Sequence, residues 1–129
     1  MIRSNFNLLS SVSSVGWSLI RISCGFRYDN NGTWRFTREL GAFAAFYFKG
    51  TSVWIYGAKR DNHGEYTVEL DTQPYPPIDG FSDVGLFQQV LFSAVELDNT
   101  RSHLVMIQNT YTDVARPYLD IDSVSIMTL

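Results

Sequence analysis

Apolar and polar positions alternate with a period of two along much of this chain, which is the pattern of half-buried β-strands. The alternation is cleanest at Glu65–Asp71, where Tyr66, Val68 and Leu70 fall on one face and Thr67, Glu69 and Asp71 on the other. Ser52–Ala58 places Val53 and Ile55 opposite Trp54 and Tyr56, and Trp17–Ile22 alternates in the same way. In Ala42–Phe48 both faces are apolar, so this strand is expected to be central in its sheet or covered on both sides. Trp34–Arg38, Leu86–Val95, Leu104–Gln108 and Tyr118–Met127 supply the remaining strands. A helix competes only over Leu86–Leu97, where Phe87, Leu91 and Phe92 spread around a helical wheel and favour a strand instead.

Turn chemistry separates these runs. Asn31-Gly32 supplies the positive φ of a tight turn, so Arg27–Thr33 reads as a turn. Lys49-Gly50 turns the chain again, and the polar stretch Lys59–Gly64 is expected to close a hairpin. Three prolines in the segment 72–83 exclude a central strand or a helix and predict a long surface connection. In the last strand the apolar phase moves from Leu119 and Ile121 to Val124 and Ile126. A bulge, or a strand crossing between two packed sheets, would cause that flip. The expected fold is all-β, an antiparallel two-sheet β-sandwich of the jelly-roll type. Residues 1–15 read as an N-terminal arm or edge segment and 16–129 as a single domain.

Composition narrows the partners. The 129 residues carry a formal net charge of −3, which gives no basic footprint for nucleic acid. No apolar run is long enough to span a bilayer, so no direct membrane insertion is expected, and the N-terminus is too Ser-diluted for a secretory signal. Cys24 is the single cysteine and cannot form an internal disulfide, so the core must hold the fold. Aromatic residues make up 15% of the chain, suiting both a β core and sugar stacking.

From Gly16 onward the chain resembles a domain recurrent in basidiomycete fungal surface proteins. The matching segments are Gly16-Trp17, GTW at 32–34, the run at 41–71, IDGF at 78–81, LFQQVLFSA at 86–94, SHLVMIQNT at 102–110 and YLDID at 118–122. The resemblance implies a galactose-binding-like jelly roll, related to carbohydrate-binding modules. It also implies an extracellular or cell-surface setting, in which any leader or anchor belongs to a larger parent protein. Glycan binding is the function suggested by analogy.

Candidate chemistry is sparse. No nucleophile elbow, zinc-protease motif or phosphate-cradling loop is present, so no enzyme activity is expected. A sugar site combines an aromatic platform with planar polar side chains, and turns are the place to seek one. Tyr28, Trp34, Tyr75 and Phe81 are the candidate platforms; Arg27, Arg60, Asp61, Asn62 and His63 are the candidate polar partners. His103 opens a strand and is expected to be half-exposed. Asp120 and Asp122 sit two apart on the final strand, and the resemblance suggests a structural Ca²⁺ there, although two carboxylates fall well short of the six or so oxygens a hard cation takes. Asn31-Gly32-Thr33 is a glycosylation sequon. The rival to glycan binding is a protein-interaction or structural module, with a homo-oligomer as one form, recognisable by a flat apolar patch or an open edge strand.

Overall fold

The computed structural model describes residues 2–5, 17–22, 27–28 and 35–127, with side chains over 36–127. Every regular element among them is a strand. In chain order these are β1 (Ile2–Asn5), β2 (Trp17–Ile22), β3 (Arg27–Tyr28), β4 (Arg35–Thr37), β5 (Phe43–Phe48), β6 (Ser52–Lys59) and β7 (Glu65–Leu70). They are followed by β8 (Gln73–Pro74), β9 (Ile78–Asp79), β10 (Leu86–Ala94), β11 (His103–Asn109), β12 (Leu119–Ile121) and β13 (Ser123–Met127).

One sheet has the order β1-β13-β6-β10, and the facing sheet runs β2-β5-β11-β7-β8, with β9 also on β7. A small third sheet, β12-β4-β3, closes one end. All paired strands are antiparallel. The all-β antiparallel sandwich read from the alternation is therefore the observed fold.

The core forms where the inward faces of the two large sheets meet. Val53, Ile55, Leu91, Val124 and Ile126 from one sheet pack with Ala44, Phe46, Phe48, Tyr66, Val68, Leu70, Val105 and Ile107 from the other. Fully burying a Phe or Ile side chain contributes about 1.5–3 kcal/mol. The predicted inward set of β7 is the observed one. β5 lies centrally between β2 and β11, as its two apolar faces required, although Tyr47 on its outer face stays exposed.

Consecutive strands switch sheets, and this corrects the hairpin expected at Lys59–Gly64. β6 pairs with β13 and β10, whereas β7 pairs with β11, β8 and β9. The polar loop between them is thus a crossover from one sheet to the other. The hairpin reading failed because turn residues announce a reversal of the chain without saying which sheet the chain enters next. Arg27 and Tyr28, expected in a turn, form β3 against Arg35 and Phe36 of β4. The phase flip in the last strand has the second of its two expected causes, a change of sheet: β12 belongs to the small sheet, β13 to a large one, and the Asp122 amide donates to the Tyr56 carbonyl at the corner (2.8 Å).

The Pro-rich connection is exposed but not wholly irregular. Leu70 and Gln73 pair around a two-residue turn in which Asp71 (φ 52°) and Thr72 (φ 67°) are both left-handed, the geometry of a type I′ hairpin. In β10 the register shifts twice, between Leu86 and Gln89 and between Val90 and Phe92. The second shift leaves Leu91 without a ladder partner, and the buried Tyr66 hydroxyl donates to its carbonyl across the sandwich. Burial, then the charge of Asp79, push the Tyr66 phenol well above the ordinary tyrosine range.

Candidate functional site

The crossover at Arg60–Gly64 is fixed by backbone bonds to two distant segments. The Arg60 amide donates to the Gly80 carbonyl, the Ser82 amide to Arg60, and the Gly80 amide to Gly64, at 2.9–3.2 Å. On the other side the Tyr118 amide donates to Asn62 (3.1 Å), and His63 and Tyr118 form a parallel bridge. Gly64 is required here, because a Cβ would collide with the Arg116 carbonyl. These ties carry His63 into the interior, where its ring stacks on Tyr118 with centroids 6.1 Å apart and planes 25° apart.

β12 delivers the opposing group. Asp120 pairs with Phe36 of β4, and its carboxylate Oδ2 lies 3.0 Å from His63 Nε2. Both residues are buried, at 2% exposure for His63 and 3% for Asp120. Nε2 lies within ion-pair distance of the carboxylate but off a hydrogen-bond line. His63 Nδ1 faces Asn62 Oδ1 at 2.7 Å, which holds the ring at that nitrogen.

This buried pair forms part of the wall of an open pocket of about 280 Å³, lined by Phe36, Arg60, Asn62, His63, Tyr118 and Asp120. Phe36 and Tyr118 are half-buried with centroids 6.3 Å apart, and the Arg38 guanidinium lies 5.9 Å from the Tyr118 ring centroid. Such a pocket offers aromatic faces for C–H stacking beside an amide and a guanidinium that can meet hydroxyl groups.

Of the residues singled out from sequence, the structure brings Arg60, Asn62, His63 and Asp120 together. Asp61 is exposed and outside the lining. Tyr75 packs edge-on against Phe92 (4.9 Å, 75°) rather than entering the pocket. Phe81 instead carries the Arg116 guanidinium 3.8 Å from its ring centroid. Arg27 and Tyr28 are described only as backbone in β3; Trp34, Cys24 and Asn31 lie outside the described residues.

Asp120 faces His63, Asp122 sits at the corner between sheets, and among the described residues no three His, Cys, Asp or Glu side chains could hold a metal ion. Phe36 and Tyr118 were missed. Tyr118 was legible, since it shares a strand face with Asp120; Phe36 looked like any core aromatic.

The second histidine corrects another expectation. His103 is buried, not half-exposed: Nδ1 meets Asp71 Oδ2 at 2.6 Å, Nε2 meets the Asp98 carbonyl at 2.7 Å, and the ring packs on Phe48. Strand position alone does not reveal that two loops converge on it. Burial pushes the Asp71 carboxyl up, but hydrogen bonds from His103 and the Leu104 amide, with the charges of His103 and Arg101, outweigh it. They hold the carboxyl below its ordinary range. This cluster locks the β7–β8 turn to the start of β11.

No family model matches the chain, and no curated protein does. Solved structures match over most of its length. A xanthan lyase from Paenibacillus superposes on 95% of the chain with a TM-score of 0.62 and 15% identity. A two-domain esterase active on acetylated mannans, co-crystallised with mannopentaose, matches 98% at TM-score 0.59 and 11% identity. The chain spans 13% of that lyase and 37% of that esterase. The CBM36-1 domain of a multidomain xylanase, from the hindgut metagenome of Trinervitermes trinervoides, matches as a whole. The match covers 95% of this chain and 94% of that one, at TM-score 0.51 and 12% identity. At such identities the shared property is the fold: an all-β sandwich of the kind seen in carbohydrate-binding modules and in domains of glycan-active enzymes.

Proposed function

We propose that this domain is a non-catalytic glycan-binding module of a secreted or cell-surface protein, fungal as the sequence resemblance implies. The observation that carries the reading is the pocket itself, where Phe36 and Tyr118 meet Arg60 and Asn62 beside a buried His63–Asp120 pair. Pyranose rings present apolar C–H faces and equatorial hydroxyls, and this lining answers both. The likeness of the fold to a carbohydrate-binding module and to enzymes active on polysaccharides supports the same reading.

A glycan array with Tyr118→Ala and Asn62→Ala as controls tests the proposal. Wild-type binding that both variants lose supports it; a folded wild type that binds no glycan refutes it. A second reading, a protein-interaction module or homo-oligomer, is favoured by β10. This strand ends its sheet's order and exposes Leu86, Phe87 and Val90. Concentration-dependent dimerisation abolished by Val90→Lys would favour that reading.

A further inference from the structure

We infer that the binding site continues beyond one sugar ring, with Phe87 as the platform for the second ring of a glycan whose end occupies the pocket. This rests on the glycan-binding reading above. Phe87 is 64% exposed, the most exposed aromatic ring among the described residues. An exposed aromatic face in contact with a pocket-lining guanidinium is a surface on which a sugar ring can stack.

The ring is coupled to the pocket through one side chain. Arg60 lines the pocket, and its guanidinium lies 5.9 Å from the Phe87 ring centroid. The pocket volume of about 280 Å³ corresponds to roughly nine waters, which suits one pyranose and its hydroxyls. A longer chain must therefore leave the pocket, and the way past the Arg60 guanidinium leads to Phe87. Arg60 then donates to hydroxyls of both rings, while the second ring rests its C–H face on Phe87.

The backbone holds Phe87 outward. Gln88 is left-handed (φ 53°) at the first register shift of β10, and alternation fails there, so Leu86, Phe87 and Gln88 are all exposed. Bulges next to binding sites commonly re-aim a side chain, and strain at a non-glycine residue marks a conformation worth holding. Gln89 Nε2 donates to the Phe87 carbonyl (3.0 Å), fixing the distortion.

Calorimetric titration with glucose through cellohexaose, mannose through mannopentaose, and xylose through xylohexaose tests the inference. In at least one series the dimer is expected to bind about tenfold more tightly than the monomer. Phe87→Ala, at an exposed position that leaves the fold intact, should abolish that increment, keep the monosaccharide affinity and leave the melting temperature unchanged. Phe87→Trp should restore the increment. Monosaccharide binding without a chain-length increment, or an increment indifferent to Phe87→Ala, overturns the inference and leaves the pocket reading standing. No binding to any member of the three series overturns the inference, and the glycan array then decides the pocket reading.

Discussion

His63→Gln removes the partner of a buried carboxylate, and its cost measures how firmly the pocket wall is tied together. His63 and Asp120 are almost inaccessible, with Nε2 and Oδ2 3.0 Å apart. Removing one member of a buried polar contact costs about 1–3 kcal/mol, because the group left behind loses its match. With a urea slope near 2 kcal/mol/M, the unfolding midpoint should fall by roughly 0.5–1.5 M. Asp120→Asn should be similarly costly. The double variant H63Q/D120N places two amides in contact and buries no charge, so it should lose less than the two single variants together. A coupling of about 1–3 kcal/mol is expected. The assay is urea unfolding followed by tryptophan fluorescence for all four proteins, at one pH and one salt concentration. Additive losses, with a coupling below about 0.5 kcal/mol, would refute the claim that these side chains depend on one another.

Four further outcomes follow from the packing. Tyr66→Phe strands the Leu91 carbonyl in the core and should cost about 1–3 kcal/mol. The raised Tyr66 pKa also means the unfolded chain sheds its proton first. Wild-type stability should fall as pH rises above about 10, and this variant should show a shallower alkaline decline in pH-dependent melting. Asp71→Asn keeps a residue tolerant of the left-handed turn while removing a carboxylate whose pKa is lowered by folding. That carboxylate stabilises above its unfolded value, near 4, and the contribution disappears as pH falls. Urea midpoints of the variant should therefore lose part of the wild type's acid dependence. Gly57→Ala drives a methyl into the Asp120 carbonyl and against Leu91, costing about 1–3 kcal/mol in chemical denaturation and weakening glycan binding with it. Thr72→Gly relieves a β-branched residue of a left-handed conformation, a gain of about 1–2 kcal/mol, less about 0.4–1 kcal/mol of added unfolded-state entropy. A small rise in melting temperature is expected, and a fall would show that the turn is not strained.

Much of the scaffold was written in the order of residues. Period-two alternation gave β5, β6, β7 and β11 nearly to the residue, since each strand has only two faces and one must be apolar. The phase flip after Ile121 announced a bulge or a change of sheet, and the structure shows the change of sheet. Part of the pocket was legible too, because Arg60, Asn62 and His63 are polar residues bunched at one turn. Tertiary structure alone decided what those residues meet. His63 reaches Asp120 across 57 positions of sequence because the 60–64 crossover is bonded to Tyr118, and no local pattern encodes a pairing between separate sheets. The same holds for Phe36 and Phe87. Alternation marks them only as apolar, while the closing sheet turns one into a pocket wall and a bulge leaves the other in water. Periodicity is a property of neighbours in the chain; a binding site is a property of neighbours in space.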